Sequence, residues 1–126
     1  MWAPPSRDIL HDEARLAELI ALVQDEIGED PTLRLMELAR AAEYRPEAPH
    51  FYLGILGVAP AGQGSGLGGH LVEPVLAMCD RAGMLAHLES SNPRNLGFYE
   101  RLGFETVDEY RCGGDPLMTI MTRAPR

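Results

Sequence analysis

Residues 53–69 read Leu53-Gly54-Ile55-Leu56-Gly57-Val58-Ala59-Pro60-Ala61-Gly62-Gln63-Gly64-Ser65-Gly66-Leu67-Gly68-Gly69, and this stretch decides the fold. An apolar run from His50 to Val58 predicts a strand, Ala59-Pro60 ends it, and a helical pattern runs from His70 to about Arg81. Between them lies a loop with five glycines from Gly62 to Gly69. Strand, glycine loop and helix in this order make a phosphate cradle. Residues without side chains let backbone N–H groups approach an anion, and the next helix turns the positive end of its dipole toward it. A phosphorylated cofactor is the ligand class this implies.

Three phosphate-binding patterns compete with a plain flexible linker. A P-loop requires Lys and then Ser or Thr after its last glycine; Gly69-His70 stands there, so that pattern fails. The dinucleotide fingerprint G-x-G-x-x-G fits residues Gly64 to Gly69 in letters. It calls for an acidic residue about 20 positions on, at the end of a second strand, and Glu89 lies near that offset. The third pattern, Gln or Arg, two residues, Gly, one residue, then Gly or Ala, is met by Gln63-Gly64-Ser65-Gly66-Leu67-Gly68.

A second segment separates them. Residues 88–104 read Leu88-Glu89-Ser90-Ser91-Asn92-Pro93-Arg94-Asn95-Leu96-Gly97-Phe98-Tyr99-Glu100-Arg101-Leu102-Gly103-Phe104. An Asn, a Tyr seven residues later and a closing Gly-Phe follow the glycine loop in order. From about Phe51 to Arg123 the chain resembles the GNAT superfamily of acetyl-CoA-dependent N-acetyltransferases. It is similar to a subset of that family in Leu71-Val72-Glu73-Pro74-Val75-Leu76 and in Ser91-Asn92-Pro93-Arg94-Asn95.

Bulk properties agree with one small enzyme-sized domain over 1–126: a helical segment over 1–49 and a cofactor-binding core over 50–126. The net charge of −8 argues against nucleic acid or an anionic membrane as partner. Cys79 and Cys112 have no metal or CxxC spacing, so two buried free thiols in a reducing cytoplasm are expected, with no metal. No run of about 18 apolar residues exists, and Met1 to Ser6 lack the regions of a signal peptide.

Apolar positions at three- and four-residue steps predict a helix from about Asp8 to Ile27. Asp30-Pro31 starts a second helix, through about Glu43. After the His50–Val58 strand, a helix from about Gly66 to Arg81 ends at Gly83 and should kink at Pro74. A short strand Leu85–Glu89, a helix from Asn92-Pro93 to Leu102, and strands Phe104–Arg111 and Leu117–Arg123 around a Cys112–Pro116 turn complete the chain. The class is α/β, a small mixed sheet with flanking helices. The resemblance further implies the cofactor-binding part of an acyl-CoA N-acyltransferase fold without its N-terminal strands. Met1 to Pro5 resemble the tail of one such strand. The His50–Val58 strand then lacks a neighbour, which predicts cover by the preceding helices or by a homodimer.

The resemblance assigns the site, with acetyl-CoA as cosubstrate. Backbone groups of Leu56, Gly57 and Val58 would pair with the pantetheine arm. Gln63, Gly64, Ser65, Gly66, Leu67, Gly68 and Gly69 would hold the pyrophosphate. Asn92 would bond the cofactor, although Asn before Pro caps a helix whether or not a ligand is present. Tyr99 lies two helical turns on, roughly 10 Å along the axis, where a tyrosine can protonate the departing thiolate or simply fill a core. Arg94 and Asn95 read as solvated or undetermined. For the base that takes the amine proton, Glu89 is the first candidate and His87 the second; two apart on a strand, they share a face. His11, His50 and His70 read as surface or boundary residues. Two functions follow: an N-acetyltransferase in which a small-molecule or peptide amine attacks acetyl-CoA directly, or a catalytically weak CoA-binding or assembly module. A nicotinamide-binding protein leaves the Asn92-to-Tyr99 segment unexplained.

Overall fold

The computed structural model describes residues 1–5, 21, 40, 43–54, 56–111 and 117–126. The expected helices over 8–27 and 30–43 lie outside these, apart from Ala21, Arg40 and Glu43, whose backbone is helical; the expected turn over 112–116 and Cys112 lie outside them too. Five strands form one sheet among the described residues: β1 (Trp2–Ala3), β2 (His50–Leu53), β3 (Leu85–Ser90), β4 (Glu105–Arg111) and β5 (Leu117–Arg123). Their order is β1-β2-β3-β5-β4. β2 and β3 are parallel, as a helical crossover requires, and the other pairs are antiparallel.

The crossover helix α1 (Leu67–Ala82) starts at Gly66 and stops at Gly83, both in the left-handed region, with φ of 84° and 63°. It runs through Pro74, on its exposed side. Helix α2 (Pro93–Arg101) begins as predicted: the Asn92 side chain accepts from the Arg94 N–H at 3.0 Å, and Pro93 stands where no N–H is needed.

Alternation splits the sheet into two faces. Leu53, Ala86, Leu88 and Met121 point one way, onto Val72, Leu76 and Cys79 of α1, Tyr99 of α2 and Phe104. His50, Tyr52, His87, Glu89 and Ile120 point the other way. On that second face Ile120 and Tyr110 pack with Tyr44 and Met118.

Two expectations about β2 are corrected. The strand was expected to run to Val58, yet its ladder with β3 ends at Leu53↔Leu88. β3 continues through Glu89 and Ser90, paired only to Ile120 and Thr119 of β5. The Gly54 N–H turns the other way, donating to the Met1 carbonyl at 3.1 Å. Among the described residues, the β2–β3 pairing stops after Leu53. Nor does β2 lack a neighbour: Trp2 and Ala3 pair antiparallel with Leu53 and Tyr52.

The far end of the sheet is clamped to α1. Arg123 donates from both terminal nitrogens to the Asp80 carboxylate, at 2.7 and 2.9 Å, and its Nε–H reaches the Leu102 carbonyl. The Arg126 N–H adds a third bond to Asp80 at 2.8 Å. These donors, Arg123 first, hold the Asp80 carboxyl down at about 2, against an ordinary 3.8. A depressed carboxylate stabilises the fold above its unfolded value and stops doing so as pH falls through the folded one. Urea midpoints should accordingly drop between pH 3.8 and about 2. Asp80→Asn should be less stable at neutral pH, because Arg123 stays buried without its partner, and should show less of that acid drop. An unchanged midpoint in the variant would remove the clamp from the list of stabilising contacts.

Candidate functional site

The glycine loop follows β2 in the chain, beyond the last β2–β3 pair. Pro60–Gly62 form one 3-10 turn, and Gly64 and Gly66 adopt φ of 78° and 84°, which residues with a Cβ rarely adopt. The loop is fastened at both ends. Gln63 Nε2 donates to the Val58 carbonyl at 3.1 Å, and the Ser65 hydroxyl and N–H both donate to the Gly62 carbonyl. A Cβ on Gly68 would stand 3.3 Å from the Phe98 ring, so this glycine lets α1 pack closely on α2.

The first helical bond of α1 runs from the His70 N–H to the Gly66 carbonyl at 3.2 Å. The N–H groups of Gly66, Leu67, Gly68 and Gly69 precede it, no side chain caps them, and the first turn carries no acidic residue. Sixteen aligned peptides stand behind this end. Their dipole, the uncapped N–H groups and the missing side chains fit an anion such as a pyrophosphate. Leu56, Gly57 and Val58 lie between this end and the last β2–β3 pair, beyond the ladder.

The other predicted residues divide between the two faces. Tyr99 is only 8% exposed and lies edge-on to the rings of Phe98 and Phe104, with centroids 5.2 and 6.0 Å away. Burial pushes its hydroxyl pKa up, so it stays protonated and able to donate. Asn92 caps α2 and is exposed, as are Arg94 and Asn95. His70 is exposed with its Nδ1 3.0 Å from the Gly66 carbonyl, and His50 lies 2.9 Å from the Ala48 carbonyl. Glu89 and His87 stand on the face opposite Tyr99 and touch each other: Oε1 and Nε2 are 3.0 Å apart. The structure thus brings the two candidate bases together but holds the candidate acid across the sheet from them.

Sequence reasoning missed Tyr52. Its hydroxyl donates to Glu89 Oε2 at 2.6 Å, and its ring lies 4.6 Å beneath the Arg45 guanidinium. The alternation His50, Tyr52 placed it on a face; the register Tyr52↔His87 that sets it beside Glu89 was not readable. Among the described residues, no three His, Cys, Asp or Glu side chains gather as a metal site, and no helix is long and apolar enough to cross a membrane.

Residues 2–104 match the Acetyltransferase (GNAT) family. An uncharacterized N-acetyltransferase of Schizosaccharomyces pombe, C550.08, is 41% identical over 78 residues, which are 60% of this chain and 32% of that protein. The chain thus spans about a third of that relative's length. Arabidopsis thaliana Naa50, solved in complex with the bisubstrate analogue CoA-Ac-MVNAL, superposes with a TM-score of 0.55 at 26% identity, over 61% of this chain and 56% of that one. Arylalkylamine N-acetyltransferase 2 from Aedes aegypti shares the fold, with a TM-score of 0.62 at 17% identity over 99% of this chain and 65% of that one. With the glycine loop, the Asn92–Tyr99 helix and a family match over most of its length, the chain belongs to the GNAT acetyltransferase family.

Proposed function

We propose that the chain binds acetyl-CoA and transfers its acetyl group to an amine by direct attack. The uncapped start of α1 behind the glycine loop, beside the opening between β2 and β3, carries this reading. The pyrophosphate would sit on the N–H groups of Gly64 to Gly69, the pantetheine along Leu56 to Val58, and the thioester in the opening. There Tyr99 would protonate the thiolate from one face and Glu89 would take the amine proton from the other. Asn92 would add a bond to the cofactor. The S. pombe relative's name and the CoA-containing ligand of the Arabidopsis protein support the same chemistry. Buried Cys79, a free thiol, suits a reducing compartment such as the cytoplasm.

Mass spectrometry of peptides and small amines incubated with the chain and acetyl-CoA tests the transfer. Acetylated product that forms only with the chain present is expected. Acetyl-CoA bound with no amine acetylated would favour the second reading, a cofactor-binding module.

We further propose a homodimer. Among the described residues, β1 is two residues long and last in the sheet order, and an edge strand can recruit another. Light scattering should give twice the chain mass, and Trp2→Pro should shift it toward the monomer. A monomeric wild type would overturn the dimer.

A further inference from the structure

The two candidate bases are not rivals. His87 is completely buried and Glu89 has a side chain 4% exposed, so neither reaches bulk water. Both Glu89 oxygens are held: Oε2 by the Tyr52 O–H at 2.6 Å, Oε1 by His87 Nε2 at 3.0 Å. The Tyr52 hydroxyl pKa is pushed up, first by burial and then by the charge of Glu89, so it remains a donor. The contact with His87 fixes the ring's tautomer. A bare Nε2 would set lone pair against lone pair at the carboxylate, whereas Nε2–H makes a charge-assisted bond. In a neutral ring that tautomer leaves Nδ1 bare, and among the described residues the buried Nδ1 has no hydrogen-bond partner. The ring itself is held edge-on by His50, with centroids 5.4 Å apart, and tilted against Tyr52 at 5.9 Å. The Arg45 guanidinium, from the segment before β2, lies over the Tyr52 ring.

We infer that Tyr52, Glu89 and His87 form one proton-accepting unit, in which Glu89 takes the proton of the incoming ammonium while Tyr52 and His87 are positioning residues that aim its carboxylate at the opening between β2 and β3. The inference rests on the acetyl-transfer reading. In the step, an ammonium N–H bond breaks and its proton forms an O–H bond on Glu89. The freed amine lone pair attacks the thioester carbonyl. The C–S bond breaks as the thiolate leaves and takes the Tyr99 proton from the other face, the nitrogen's second proton restores Tyr99, and Glu89 gives up its own proton after the product leaves. No oxidant or further reactant is involved. A carboxylate with two fixed donors keeps one direction for the incoming proton, and a small misalignment of such a group can cost about 10²-fold in rate.

Two probe amines separate this unit from a merely structural role. An alkylamine is protonated at neutral pH, as a lysine side chain is with pKa ≈ 10.4, and must lose a proton to attack. Hydroxylamine is already neutral and does not. Tyr52→Phe and His87→Gln should lower kcat/KM for ethylamine by roughly 10-fold or more, and Glu89→Gln by about 10²-fold, within the usual range for a general base. Hydroxylamine acetylation should change less than about twofold in all three, with the KM for acetyl-CoA unmoved. Long-range ¹H–¹⁵N spectra of the wild type should show His87 protonated at Nε2 and bare at Nδ1. Equal losses on both amines, no loss on either, or a proton on Nδ1 would overturn the unit while leaving acetyl transfer in place. A wild type that acetylates neither amine while binding acetyl-CoA overturns the transfer reading and this inference with it.

Discussion

Gly66→Glu should remove acetyl-CoA binding: calorimetry is expected to give a micromolar Kd for the wild type and no measurable heat for the variant. Gly66 caps α1 at φ 84°, so any side chain there strains the backbone by roughly 1–2 kcal/mol. The carboxylate adds much more. It would project from the ring of uncapped N–H groups into the space assigned to the pyrophosphate. Two unit charges 4 Å apart repel by about 4 kcal/mol at an effective dielectric of ~20, roughly a thousandfold in affinity. Thermal unfolding of Gly66→Ala separates strain from charge, because this variant carries the first without the second. Gly66→Ala should bind within about tenfold of wild type. Equal affinity in the wild type and Gly66→Glu would place the phosphates elsewhere.

Tyr99→Phe should lower kcat by about 10²-fold with acetyl-CoA affinity nearly unchanged, the signature of a lost general acid. The ring is part of the core, packed against Phe98 and Phe104, and phenylalanine keeps that packing. Only the buried hydroxyl goes. The fold should therefore lose little stability, and thermal unfolding checks this alongside steady-state kinetics. An active enzyme indifferent to the change would leave Tyr99 as core alone.

The local signals carried most of the elements. Gly66 and Gly83 mark both ends of α1 because only a residue without a Cβ takes φ near +84° and +63° without strain. Asn92-Pro93 marks the start of α2 because the side chain accepts an N–H that the helix leaves over. What stayed hidden was set by strand register. The run from Phe51 to Val58 is largely apolar, so nothing in its composition says that pairing with β3 stops at Leu53. Likewise Trp2-Ala3 is too short for a periodic pattern, and its pairing with Tyr52 and Leu53 depends on a contact some 50 residues away in the chain. The candidate site divides the same way. The glycines proposed to hold the phosphates were legible as a motif, and Glu89 and His87 as a pair two apart. Tyr52, which joins them, came only with the third dimension.

Amide hydrogen exchange on addition of acetyl-CoA tests most directly where the cofactor lies. The expected result is protection of the N–H groups of Gly66, Leu67, Gly68 and Gly69 at the start of α1. Leu56 to Val58 should gain protection as well, with β4, at the far side of the sheet, unchanged. Acetyl-CoA that binds while leaving both segments at their free exchange rates would contradict a thioester held in the opening between β2 and β3.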